Sequence, residues 1–331
     1  MEKELQKEIR RHFSKLGVRY FLGVVIIYAV QLLAASVIET FLPGISANYS
    51  YSFLLTMLAY FLIAVPIMIL LIRTMKTEST EEKKKMSVGQ WIVAFFICLG
   101  GMYVCNFIGL GVTSVVGMLK QGSVTNVLGE VAGSVSLEVN FLVIVIGAPI
   151  VEELLFRKLL VDRVVRFGEP IAIVLSGLMF GLYHANLNQF VYAFFMGCVF
   201  AFIYVRTGNI VHVISIHMAT NFVGTFLSTF LMEVSNYQKL VEATAAGTDL
   251  SAFSNTELAG ILGLAVYELF LFVGIIAGII LLIVNRKKFV LCHENDIIPK
   301  GKKFQTITLN WGMGLYCLFF LVQIIAQLIW G

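Results

Sequence analysis

The chain has 331 residues, of which 59% are hydrophobic and only 13% charged, with a formal net charge of +4. A soluble domain usually carries about twice that charged fraction. The composition therefore excludes a water-soluble globular protein and leaves no basis for a nucleic-acid partner.

In chain order, the leading segment MEKELQKEIRRHF mixes acids and bases at helical spacing, as a solvated or interfacial helix would. Apolar blocks follow at about 20–42, 51–72, 88–119, 137–156, 170–186, 189–205, 209–232, 258–285 and 308–330. A helix needs roughly 20 residues to cross a hydrocarbon core, and most of these blocks reach that length. The first is too long for a cleaved leader and reads as a retained anchor. They predict an all-α, polytopic transmembrane helical bundle of eight to nine spans. Residues 77–85 (TESTEEKKK) read as a charged turn, and 120–137 and 233–257 as polar loops, the longer with room for a short helix or a lid.

The basic residues orient the chain. Six lie in residues 1–19, five in 73–87, four in 157–169, one in 206–208 and six in 286–307, which is 22 of the 24 Lys and Arg. Only Lys120 and Lys239 fall on the other side. Short flanks rich in Lys and Arg face the cytoplasm, so the N-terminus is expected there. The chain reads as one membrane domain, 1–331, in a bacterial plasma membrane. The five cysteines show neither CxxC pairing nor finger spacing.

Ionisable groups inside spans are costly unless paired or hydrated, so they mark candidate sites. They gather in three consecutive patches. At the end of the fourth span, Glu153 and Arg157 are one turn apart and suited to an ion pair. Glu152 lies about 100° around the helix, facing a different environment. His184 ends the apolar block 170–186, and His217 and Asn221 lie one turn apart in the seventh span. Each patch alone is also what interfacial charges or helix–helix hydrogen bonds would produce. Together they offer a base for water (Glu152), an imidazole to share or orient it (His184), and two donors for an oxyanion (His217, Asn221), which peptide hydrolysis requires.

The segments EELLFR, FGLYH and HMATN resemble, in order and spacing, the EExxxR, FxxxH and HxxxN/D motifs of the CPBP family, which groups type II CAAX prenyl endopeptidases with bacteriocin-processing and immunity proteins of the Abi group. The resemblance covers about 85 residues and places a catalytic core at 138–232, between flanking spans at 1–136 and 233–331. It implies an intramembrane endopeptidase with Glu152, His184, His217 and Asn221 catalytic and Glu153 and Arg157 supporting. That family has been described both as metal-independent glutamate proteases and as metalloproteases. Glutamate-activated water with no cofactor is the favoured reading, and the alternative is a zinc ion held by Glu152, His184 and His217. The expected partners are a membrane-associated peptide or protein substrate and the lipid bilayer. The rival readings are a non-catalytic immunity or scaffold protein and a proton-coupled transporter, although the chain shows none of the paired repeats common in transporters.

One geometric demand follows. A fourth span ending near residue 156 leaves Glu152 shallow while His184 is deep, so convergence requires that helix to tilt or to run on beyond its apolar stretch. Glu268, ten residues into the eighth span, is expected to make a structural hydrogen bond.

Overall fold

The computed structural model describes residues 2–77, 85–247, 249–292, 297–299 and 301–330. Most of the charged turn expected at 77–85 lies outside these residues. The described chain is helical throughout, with no strand among the described residues. Eight helices are long and apolar enough to cross a membrane: α1 (Lys3–Phe41), α2 (Tyr49–Arg73), α3 (Val88–Leu119), α4 (Leu137–Phe167), α6 (Leu187–Thr207), α7 (Ile210–Val234), α8 (Asn255–Lys288) and α9 (Trp311–Trp330). Between α4 and α6 lies α5 (Glu169–Tyr183), which has 15 residues. At 1.5 Å per residue, α5 is only about 22 Å long, short of a full hydrocarbon core. The protein is a multi-pass integral membrane protein.

Short polar side chains start the helices. The amide oxygens of Asn48, Asn186 and Asn209 accept from Tyr51, Gln189 and Val211 N–H groups at the starts of α2, α6 and α7. Ser87 with Gln90 and Ser254 with Glu257 form reciprocal capping boxes for α3 and α8. Gly208, at φ +61°, ends α6 in the left-handed conformation that glycine adopts without strain.

The core lies where α1, α2, α4, α5, α6 and α9 meet, with Phe13, Tyr20, Met68, Phe156, Phe200 and Phe320 fully buried. Helix α4 is the most buried span and α8 the least. Helices α5 and α6 form a tight antiparallel hairpin. A Cβ on Gly197 would stand 2.7 Å from Gly177 Cα, and one on Gly177 would stand 2.5 Å from Cys198 Sγ. The hairpin can close only with glycine at both positions.

The N-terminal segment is more than an interfacial helix. It continues unbroken into α1, burying Ile9, Phe13 and Leu16, and Phe13 packs 5.0 Å from Phe167 at the end of α4.

The fourth span also differs from its sequence boundaries. It runs to Phe167 instead of residue 156. Two of its basic residues are drawn into the bundle. Arg157 is fully buried beside Glu153, and Arg163 donates to the carbonyls of Ile72 (3.1 Å) and Leu159 (2.8 Å). Internal partners of this kind allow basic residues to extend a span that hydropathy would end.

Candidate active site

At its centre, over Ala148–Glu153, helix α4 is a regular α-helix. On either side, residues Asn140–Gly147 and Leu154–Val161 form wider, π-type turns, a feature that frequently accompanies functional sites. Carbonyls of the second wide stretch accept side-chain donors from neighbouring helices. Tyr20 Oη donates to Leu155 O at 2.6 Å and Ser176 Oγ to Phe156 O at 2.9 Å. In the first stretch, the Ala148 N–H reaches back five residues to Val143 O. The next bond in that pattern would come from residue 149, which is proline and has no N–H. Asn221 Nδ2 from α7 donates to Ile144 O instead, at 2.9 Å.

Glu152 thus sits at the middle of α4, about 22 Å of helix from either end. The depth mismatch expected from sequence is absent because the helix extends. Its neighbour Glu153 has no exposed surface and bridges two helices. Glu153 Oε2 lies 2.8 Å from Arg157 Nε, and Oε1 lies 2.9 Å from His217 Nδ1 on α7. The Arg157 approach is an ion contact, not an aligned hydrogen bond. The guanidinium is also held over the rings of Phe180 (4.6 Å) and Phe200 (5.3 Å).

A carboxylate only accepts hydrogen bonds, so His217 Nδ1 carries the proton toward Glu153 and Nε2 is directed elsewhere. Nε2 lies 3.7 Å from Glu152 Oε2. The line Arg157–Glu153–His217–Glu152 therefore runs from α4 to α7 and back. Sequence spacing pointed to the Glu153–Arg157 pair but not to Glu153 as the residue that orients His217, because that contact crosses 64 positions.

His184 follows the last residue of α5. Its Nδ1 is 2.9 Å from Phe180 O, and a carbonyl can only accept, so Nδ1 bears the proton and Nε2 presents a lone pair. Phe180, the first residue of the second motif, packs edge-on against both His184 (4.9 Å between centroids) and His217 (5.9 Å). Tyr183 Oη meets Tyr60 Oη of α2 at 3.0 Å, and Asn186 Nδ2 donates to His184 O at 2.8 Å, fixing both sides of the turn.

Glu152, His184, His217 and Asn221 all line one cavity of about 240 Å³. Its remaining wall is largely apolar and includes Met102, Ala193 and Met196. Two contributions were not legible in sequence. Phe53 and Met57 enter from α2, and Val127, Leu128 and Val131 come from a short helix, Val127–Ser134, inside the expected polar loop. Asn140 Nδ2 ties that helix to α4 through Ala132 O at 3.2 Å. The only hint was the apolar spacing of Val127, Leu128 and Val131 within a Gly- and Ser-rich stretch. The cavity wall therefore draws on residues outside 138–232.

Gln189, Tyr192 and Thr225 also line the cavity, whereas His212 and Glu268 lie elsewhere. His212 Nε2 accepts from Met86 N at 3.1 Å, away from the cavity. Glu268 does not make the expected structural hydrogen bond with a described residue; its side chain is exposed on the outer face of α8. Among the described residues, no three His, Cys, Asp or Glu side chains are gathered as a metal-ligand set.

An all-helical, multi-pass membrane bundle with a carboxylate–imidazole cluster facing an internal cavity defines the class of protein. Comparison with known proteins narrows it. Residues 134–223 match the family described as Type II CAAX prenyl endopeptidase Rce1-like. A Bacillus subtilis (strain 168) relative named "Putative membrane peptidase YdiL" is 30% identical over 183 residues, spanning 54% of this chain and 72% of the relative. No solved structure matches. The chain belongs to the CPBP/CAAX-type family.

Proposed function

We propose that the protein is an intramembrane endopeptidase that hydrolyses peptide bonds of membrane-associated peptides or proteins with water activated by Glu152. The observation that carries this reading is that Glu152, His184, His217 and Asn221, from three helices, line a single cavity. The family match and the named relative support a peptidase of this kind.

In the proposed reaction, Glu152 takes a proton from water as its oxygen attacks the scissile carbonyl carbon. His184 Nε2 accepts the water's other hydrogen bond and orients it. The developing oxyanion requires a donor, and His217 can supply one from Nε2 only when its imidazole is doubly protonated, with Nδ1–H held by Glu153. The second hydrogen of the Asn221 amide is the other donor. Glu152 then returns its proton to the leaving nitrogen as the C–N bond breaks, giving a carboxylic acid and an amine. No step passes through a metal. Residues 138–232 are the catalytic core in this reading, and the apolar wall suits a hydrophobic substrate segment.

The test compares membrane peptides from cells carrying wild type or Glu152→Ala, followed by cleavage assays with purified protein. Peptides that accumulate only with wild type, and whose precursors the purified enzyme cuts, are the expected result. Full activity of purified Glu152→Ala would remove the mechanism.

A further inference from the structure

A second, larger cavity of about 620 Å³ lies at the opposite end of the α3–α6 pair, where the end of α8 meets it. Its volume is within the range that ligand pockets span. Its wall is divided by chemistry. The inner part is apolar, formed by Val93, Ala94 and Ile97 of α3 and Val199, Phe202 and Ile203 of α6, with Phe289 beyond α8. The mouth carries Lys85, Arg206 and Lys288. No Asp or Glu among the described residues lines it.

Arg206 is already committed: its guanidinium donates to both Glu169 oxygens, at 2.8 and 2.6 Å, and to Val290 O. Lys85 and Lys288 are exposed and make no ion pair with a described residue. This end of the bundle carries the basic flanks that face the cytoplasm, where anionic lipid headgroups are concentrated.

We propose that this cavity binds one anionic phospholipid, with its phosphate at Lys85 and Lys288 and an acyl chain against the apolar wall of α3 and α6. Two uncommitted cations at the mouth of a hollow with an apolar inner wall, whose lining also includes Ser87, Gln90, Thr207 and Asn285, complement a ligand with one anionic, polar end and a hydrocarbon tail. A zwitterionic lipid would bring an extra cation to the same lysines. The proposal does not depend on the peptidase reading.

The test uses the full chain in nanodiscs of equal phosphatidylglycerol and phosphatidylcholine, with lipid retained after detergent extraction read by native mass spectrometry. Wild type should retain phosphatidylglycerol in preference. The pair Lys85→Glu/Lys288→Glu should lose that preference by at least about tenfold, since each lysine near an anionic surface is worth roughly a fivefold factor. The pair Arg286→Glu/Lys287→Glu makes the same change of charge on residues that do not line the cavity, and should leave the preference within about twofold. Ala94→Trp, which fills the hollow, should abolish retention of both lipids. Undiminished preference in Lys85→Glu/Lys288→Glu, or an equal loss in the control pair, overturns the proposal. So does displacement of the retained lipid by excess inorganic phosphate with no effect of Ala94→Trp, which would make it a site for free phosphate.

Discussion

The side-chain amide of Asn221 donates to the carbonyl of Ile144, the oxygen that Pro149 leaves without a backbone donor in α4. One residue of the third motif thus repairs the helix that carries the first. The same contact fixes α7 against α4 at the level of the cavity.

Replacing Asn221 with Ala should leave that buried carbonyl unpaired and lower stability by about 1–3 kcal/mol. Pro149→Ala restores a backbone N–H at the right position, so the double variant should recover part of the loss. A double-mutant cycle of unfolding in mild detergent checks this, with coupling of about 0.5 kcal/mol or more expected. Strict additivity would mean that the two residues act independently.

Glu152 and Glu153 are adjacent, yet their replacements should behave differently. Glu152→Gln should abolish cleavage while the protein still inserts and purifies normally. Glu153→Gln leaves Arg157 buried without its counter-ion, a loss of about 3–5 kcal/mol, and should lower the yield of folded protein. Fluorescence-detected size exclusion, run beside a cleavage assay, separates the two effects.

Removing both charges should separate fold from function further. A Glu153→Leu/Arg157→Met variant replaces the buried pair with apolar side chains, a change that is often neutral for stability. Its folded yield should exceed that of Glu153→Gln. Cleavage should stay absent, because His217 Nδ1 has lost the carboxylate that orients it. Restored activity in this variant would show that His217 needs no such anchor.

The α5–α6 hairpin gives a prediction away from the cluster. Gly177→Val would drive side-chain atoms into Cys198 Sγ and the backbone of Phe194, the latter 2.9 Å from even a single Cβ. Overpacking of this kind costs about 1–3 kcal/mol, and it should displace His184 at the end of α5. A fall in kcat larger than the fall in folded yield is the expected pattern.

Metal dependence can be measured directly. Active protein purified without added metal should contain far less than one zinc per chain by elemental analysis and should keep its activity in chelator. Stoichiometric zinc with loss of activity on chelation would require a different arrangement of Glu152, His184 and His217.

Much of this protein was legible in its sequence, because the bilayer imposes strong rules. Apolar blocks of about 20 residues give the helical class without any knowledge of packing, and the one-sided Lys and Arg predict an orientation. The i, i+4 spacing of Glu153 and Arg157 is likewise a local matter, and the ion pair is present. The three motifs named the cluster because their spacing survives in one dimension. Only the tertiary structure decided where α4 ends, since hydropathy scores Arg157 and Arg163 as solvent-seeking and cannot register the partners that bury them. It alone joined Glu153 to His217 and Asn221 to Ile144, contacts between residues 64 and 77 positions apart. It also brought α2 and the Val127–Ser134 helix to the cavity wall. Such contacts depend on which faces of separate helices meet, and helix periodicity specifies a face without naming its neighbour.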